Sequence, residues 1–259
     1  MPKHVIIAGE EPYIEHLHKL ATARGHRVDL YYIDDLDEQE TLDKLVSDAA
    51  TCDIFIESLN ESTASKIWLI EGIEVNMKDD ALVMTNALCA SPTEIASWCA
   101  DPRRVIGFGL IPPFKDDGPL EFVPALQTEL KFATEAREFW QRLGYGVVRV
   151  PDTPGMVRAR LVCTLINEAV FALNQKIASA EDIDTALKLS QGLPLGPLAW
   201  ADELGLDVVL GTLTGTYDFW GEERYRPAPL LKQKVRAGHL GKKVGRGFFV
   251  DPLLSPPEV

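Results

Sequence analysis

The sequence has no apolar run approaching the ~20 residues that a membrane-spanning helix needs. It has no excess of basic charge. Its 26 Lys+Arg against 39 Asp+Glu leave a formal net charge of −13, which argues against nucleic acid and against anionic membrane surfaces as partners. The same charge disfavours anionic ligands unless basic residues cluster locally. Four cysteines (Cys52, Cys89, Cys99, Cys163) include no C-x-x-C pair. They predict buried thiols of a cytoplasmic protein rather than a disulfide framework or a metal site. The five histidines show no metal-ligand spacing. His16 and His18, two apart on a predicted helix, face different sides. There is no internal repeat. The opening MPKHVII enters a strand pattern at once, which predicts no signal peptide.

What is present is an ordinary globular composition, 46% hydrophobic and 25% charged over 259 residues, enough for one large domain or two modest ones. Residues 4–9 (HVIIAG) read as a buried strand ending in glycine, residues 14–24 have helical period, and 28–32 form a second apolar run. That is the layout of a β-α-β nucleotide-binding unit, yet its G-x-G-x-x-G fingerprint is missing. Gly9 supplies the first glycine, but the second falls on Glu11 and the third on Ile14. A Glu at the second position adds bulk and negative charge where a pyrophosphate must approach; two like charges 4 Å apart repel by ~1 kcal/mol in water and more in a cleft. Ile14 must push helix and strand apart or reshape the turn. The acidic residue that should hold a ribose falls by spacing on Tyr32, with Asp34 and Asp35 just beyond. Gly9, Glu11 and Tyr32 therefore mark degenerate cofactor positions. The residues favour a scaffold unit that binds no dinucleotide over an intact NAD site.

The strand–helix alternation continues to residue 150. Strands are predicted at 52–59, 81–85, 104–107, 120–123 and 147–150, and helices at 36–50, 63–76, 92–99 and 129–143. The helix at 92–99 carries a capping box of Ser91 and Glu94. This pattern predicts an α/β fold with a doubly wound, mostly parallel sheet over residues 1–152. After the linker 151–155 the pattern becomes nearly all helical, predicting a second domain over 153–259 with a long helix at 157–177, others at 180–189 and 230–237, glycine- and proline-punctuated segments between them that include 206–220, and a basic glycine-rich tail at 238–247.

The segments ASAEDIDTALKLSQGLPLGPLAWADELGLD (178–207) and YRPAPLLKQKVRAGHLGKKVGRGFF (225–249) resemble the C-terminal domain of the 3-hydroxyacyl-CoA dehydrogenases, above all short bacterial 3-hydroxybutyryl-CoA dehydrogenases. CDIFIES, TEIAS, RRVIG and TPGMV match the first half of that family at the expected spacing. The resemblance implies a Rossmann-like domain, a helical dimerisation domain, and acyl-CoA bound between them. It also implies a histidine base paired to a glutamate, with a serine and an asparagine beside them. Here the histidine position is Gly109, the serine is Leu88, and the asparagine is Ala159. Glu121 keeps the glutamate position, Asn86 precedes the lost serine, and the asparagine-proline of the family is Pro112-Pro113. Lys66 lies where the family has basic residues near the CoA phosphates; a solvated helix lysine is the alternative.

Positioned general-base catalysis contributes typically ~10²–10⁴-fold, and Gly109 supplies none of it. The expectation is a family member without the dehydrogenase reaction and without a cofactor. It would bind an acyl-CoA-like ligand, or partner an active paralogue through its helical domain as a homodimer or hetero-complex. The alternatives are a working NAD-dependent oxidoreductase using Glu121, with Asn86 near it, and a purely structural interaction protein. Cys89 reads as an inert buried thiol, His239 as a surface residue, and Lys242, Lys243 and Arg246 as a solvated patch or an interface. A cleft blocked by Glu11, Tyr13 and Tyr32 is the structural signature expected of a lost cofactor.

Overall fold

The computed structural model describes residues 2–249. Seven strands form one sheet: β1 (His4–Gly9), β2 (Arg27–Tyr32), β3 (Ile54–Ser58), β4 (Leu82–Asn86), β5 (Val105–Gly109), β6 (Pro119–Pro124) and β7 (Gly146–Arg149). Their order is β2-β1-β3-β4-β5-β6-β7, and every pair is parallel except β5–β6. Helices α1 (Tyr13–Ala23), α2 (Gln39–Ala49), α3 (Thr63–Glu74), α4 (Pro92–Trp98) and α5 (Leu130–Leu143) cover both faces. The central strands β3 and β4 are buried at every position, as expected of strands covered on both sides. Two apolar clusters, one on each face, fill the layers between sheet and helices. Ser91 caps α4 as expected, its Oγ accepting the Glu94 N–H at 3.2 Å.

From Arg158 onward the described chain is helical: α6 (Arg158–Asn174), α7 (Ala180–Gln191), α8 (Pro197–Leu204), α9 (Leu206–Trp220) and α10 (Pro229–Arg236). The basic tail forms a short 3₁₀ turn at Lys242–Val244, closed by a bridge between Gly241 and Arg246. Residues 250–259, the end of the expected second domain, lie outside the described residues.

Ile14 is accommodated within the β1–α1 layer. It is fully buried and packs with Val5, Ile7 and Leu17 beneath the sheet. Gly9 has a reason to be glycine without any cofactor. A Cβ there would lie 2.8 Å from the Ser58 carbonyl oxygen of the neighbouring strand. Because β2 lies on one side of β1 and β3 on the other, the strand order reverses between β1 and β3, opening a crevice at their C-terminal ends.

Helix α9 packs on that C-terminal edge. Gly211 and Gly215, one turn apart, face the chain leaving β3 and β4. A Cβ on Gly211 would lie 2.6 Å from the Asn60 carbonyl oxygen, and one on Gly215 would lie 1.8 Å from that of Cys89. Backbone atoms cannot yield as a flexible side chain can. Gly215→Ala is therefore expected to lower stability by about 3 kcal/mol, a fall in Tm of roughly 6–12 °C. Gly72→Ala on α3, whose Cβ would meet nothing within 4 Å, should gain ~0.5–1 kcal/mol from helix propensity. Thermal melts of the two variants check the contrast.

Candidate functional site

β5 and β6 place Gly109 directly opposite Glu121. The Glu121 carboxylate faces the start of α6. Its Oε1 accepts the Arg158 N–H at 2.9 Å and its Oε2 accepts that of Val157 at 3.3 Å. These are first-turn donors of α6, so Glu121 acts as the cap that helix lacks locally. Burial raises its carboxyl above the usual range, against the lowering pull of the two N–H groups and Arg158.

The space beside Gly109, where the resemblance implies an imidazole, is not open. A Cβ on Gly109 would lie 2.9 Å from Glu121 Oε2 and 2.9 Å from Met156 Sδ. Met156 holds φ at +48°, a left-handed conformation that costs a side-chain-bearing residue roughly 1–2 kcal/mol. Leu88 and Ala159 belong to the apolar cluster of the helical layer, together with Ile111, Cys163 and Val209. Asn86 is fully buried and pairs twice with Leu110, its Nδ2 donating to the carbonyl at 3.0 Å and its Oδ1 accepting the N–H at 3.0 Å. Arg160 donates to the Tyr225 hydroxyl and lies over the Trp220 ring.

Lys66 corrects both readings offered for it. It is neither solvated nor turned toward a phosphate site, but 0% exposed. Its Nζ lies 2.5 Å from Glu57 Oε2 and 3.1 Å from both Thr85 Oγ1 and the Asn86 carbonyl oxygen. A buried ammonium survives only with such a complete set of acceptors. Cys89, 3% exposed, has its thiol pushed up to about 11 by burial, which makes it a poor nucleophile.

In the crevice between β1 and β3 the dominant residue is Glu10, not Glu11. The Glu10 carbonyl accepts the N–H groups of Tyr13 and Ile14 at 3.2 and 3.3 Å, using first-turn donors of α1 that a phosphate would need. Its carboxylate, 8% exposed, accepts the Asn60 N–H at 3.1 Å and Lys243 Nζ at 3.2 Å. Lys243 also lies 2.6 Å from Asp207 Oδ2 at the start of α9. It is thus an ion-pair bridge between the two halves, which replaces the solvated-patch reading. Burial would lower the Lys243 ammonium, but Glu10 and Asp207 outweigh it and raise it. Burial likewise pushes the Glu10 carboxyl up to about 7, with Lys243 opposing and Asp207 and Glu61 adding to the rise.

Carboxylate oxygens of Glu10, Glu61 and Asp207 lie within 4.8 Å of one another. Exposed Glu11 and half-buried Tyr32 only line the mouth of an adjoining cavity of about 440 Å³. Tyr13 does not line that cavity: it is 0% exposed, edge-on to Phe114, and its hydroxyl finds no hydrogen-bond partner among the described residues. The charges at this crevice oppose a dinucleotide's pyrophosphate. Each phosphate oxygen 4 Å from a carboxylate would cost about 4 kcal/mol at an effective dielectric of 20, and three carboxylates face a single ammonium here.

Sequence reasoning missed Glu10, Asp207 and Lys243 as a set, because Lys243 stands 233 residues from Glu10 along the chain. The doubled acid Glu10-Glu11 was the available signal.

Comparison with known proteins follows the same outline. The family model described as "3-hydroxyacyl-CoA dehydrogenase, NAD binding domain" matches residues 14–153, starting within α1. The one described as "3-hydroxyacyl-CoA dehydrogenase, C-terminal domain" matches residues 155–251. A probable 3-hydroxybutyryl-CoA dehydrogenase of Bacillus subtilis is 34% identical over 209 residues, 81% of this chain and 73% of the relative. A 3-hydroxybutyryl-CoA dehydrogenase of Clostridioides difficile is 34% identical over 202 residues, 78% of this chain and 72% of that one. The crystal structure of (S)-3-hydroxybutyryl-CoA dehydrogenase from Ralstonia eutropha superposes with a TM-score of 0.76 at 28% identity, covering 96% of this chain and 99% of that one.

Two outcomes are expected. Gly109→Ala should lose roughly 1–3 kcal/mol through overpacking, and adding Met156→Ala should return part of it; denaturant melts of the double-mutant cycle read the coupling. The second concerns pH. An unfolded Glu10 ionises near 4.5 and the folded one near 7, so between those values the folded state holds the extra proton. The stabilisation this proton gives is complete below pH 4.5 and is lost as pH rises to about 7. Glu10→Gln should remove that slope in unfolding free energy measured from pH 4.5 to 8.

Proposed function

The chain belongs to the 3-hydroxyacyl-CoA dehydrogenase family, and from that premise we propose that it has given up the family's hydride transfer. The observation that carries this reading is the filled space at Gly109. Oxidation of a hydroxyl needs an acceptor for its proton as the hydride leaves. Glu121 faces Gly109 across β5–β6, but its two oxygens are engaged by the first N–H groups of α6, and Met156 stands where an imidazole would reach. Leu88 and Ala159 add apolar surface at the two remaining polar positions. The carboxylates at the β1–β3 crevice support the same reading from the cofactor side, with no cofactor required for the protein's role.

Of the roles left to it, partnership suits this chain better than acyl-CoA binding. Lys66, the basic residue placed for a CoA phosphate, is locked inward on Glu57. The helical half keeps exposed apolar side chains for an interface, with Leu161 64% and Ile177 70% exposed. The partner is a second copy of this chain or an active paralogue, in the cytoplasm. No helix of the described residues is long and apolar enough to cross a membrane.

A second reading is an active NAD-dependent 3-hydroxyacyl-CoA oxidoreductase using Glu121 beside Asn86. The names of relatives at 34% identity favour it, and the raised Glu121 carboxyl suits a base. Acetoacetyl-CoA and NADH decide between the two. On the first reading NADH fluorescence and absorbance stay unchanged over hours at micromolar enzyme. Acetoacetyl-CoA-dependent NADH oxidation that is lost in Glu121→Gln would establish the second.

A further inference from the structure

The sheet half carries on its outside a groove that no described side chain fills. It runs between α2 and α3 and encloses about 290 Å³, with Leu42 and Val46 of α2 on one wall and Trp68 and Gly72 of α3 on the other. Leu69 and Ile73, each 1% exposed, form its floor. Trp68 leaves 48% of its surface in solvent, and Val75 just past the end of α3 leaves 63%. A large apolar side chain this exposed beside an apolar groove marks an interaction site, and tryptophan is the residue type most enriched among interface anchors.

Gly72 is an independent observation on the same groove. Glycine is the poorest helix former after proline, so its place inside α3 needs a reason. It does not take the left-handed conformation that calls for glycine at a helix end. No neighbour in the chain demands it, because a Cβ there would meet nothing within 4 Å. Its carbonyl accepts the Asn76 side-chain amide at 2.8 Å, a bond that any residue makes equally well. What glycine supplies here is bare backbone one turn along the helix from Trp68, against which a second helix can close to short distance.

The rim sets the charge of the occupant. Residues 34–43, which lead into α2, hold six acids and no base, and Asp43 among them lines the groove. Its carboxylate accepts the Gln39 amide at 2.8 Å and forms no ion pair among the described residues. Lys44, the one base on α2, sits over the Tyr31 ring at 5.4 Å and does not line the groove. The chain's own residues 250–259 bring Asp251 and Glu258 and no base, and a second copy brings a net charge of −13. Both are repelled where a cationic segment is attracted. The 11 residues of α2 make a wall about 16 Å long, which matches about three turns of a partner helix.

We propose that the groove between α2 and α3 receives a basic amphipathic helix of another protein. The apolar stripe of that helix lies on Trp68, Leu42 and Val46, its backbone closes on Gly72, and its flanking Lys or Arg side chains pair with Asp43 and Glu40. The face belongs to the sheet half, apart from the exposed Leu161 and Ile177 of the helical half. Docking there does not depend on whether hydride transfer survives.

Fluorescence anisotropy of a labelled, end-blocked amphipathic peptide of leucine and lysine, four turns long, tests this with the full chain. An ionic strength of about 0.15 M screens diffuse charge attraction. The expected result is saturable binding of one peptide per chain, at least roughly tenfold tighter than an isomer of the same composition without the apolar stripe. Trp68→Ala and Gly72→Gln should each weaken binding by roughly tenfold. Gly72→Gln is expected to keep or raise Tm, so its lost binding is not lost folding. Asp43→Asn with Glu40→Gln should weaken binding severalfold and flatten its salt dependence. Absence of saturable binding, equal binding of the isomer, or wild-type affinity in any of these variants overturns the proposal. So does a wild-type dimer in sedimentation that Trp68→Ala turns into a monomer, because the occupant is then a second copy.

Discussion

Helix α9 lies against the chain that leaves β3 and β4 with no side chain between them. Gly211 and Gly215 permit this, and every other feature of the cleft follows from the closeness. It carries Asp207 at the start of α9 to within reach of Lys243, and through it to Glu10 after β1. It seats Leu88 and Ile111, which belong to the sheet half of the chain, in the apolar cluster of the helical half. Burying such side chains contributes about 1.5–3 kcal/mol each, so the join is a shared core rather than a hinge lined with polar groups. A catalytic cleft in this place would need polar side chains and room for water and substrate. Leu88 and Ile111 fill part of this place with aliphatic packing.

The charges follow the same logic. A dinucleotide brings its own anions, and a site for one must supply donors and positive potential. Here the donors of the α1 first turn are satisfied by the Glu10 carbonyl, and the one ammonium is the chain's own. The carboxylates are paid for only in part, and Glu10 responds by holding its proton toward neutrality. Five of the buried polar atoms without a partner among the described residues, on Tyr13, Ser58, Asn60, Asp207 and Thr212, lie along this seam between the halves. Asp207 Oδ2 among them still has the Lys243 ammonium as its ionic partner. Burying charge and unpartnered polar atoms carries a desolvation cost that the apolar clusters above and below the sheet do not bear.

Much of the fold was legible in the sequence. The alternation of apolar runs and helical periods placed all seven strands and the long helices, because those patterns are local. Ser91 and Glu94 announced the start of α4 for the same reason. The replacements at the positions that the resemblance assigns to catalysis were also legible, since Gly109, Leu88 and Ala159 lack the chemistry whatever surrounds them. What stayed hidden was pairing. Glu121 showed itself as a retained acid, but not that the Val157 and Arg158 N–H groups, 36 and 37 residues later, would occupy it. Lys66 looked like a surface lysine because nothing along the chain marks Glu57, Thr85 and Asn86 as its partners. The fingerprint drew the eye to Glu11, whereas the turn buried Glu10 and left Glu11 exposed.

The sequence by itself determined the family, the order of the elements and the absence of a proton-accepting side chain at Gly109. Each of these depends on the identity of a residue or on spacing within one segment. Only the tertiary structure decided what fills the vacated space and which way each charge faces. Met156 closing on Gly109, Lys66 turned to Glu57, and Lys243 spanning Glu10 and Asp207 all arise where segments far apart in the chain meet. At such meetings, desolvation and the nearest partner outweigh any preference a residue carries alone.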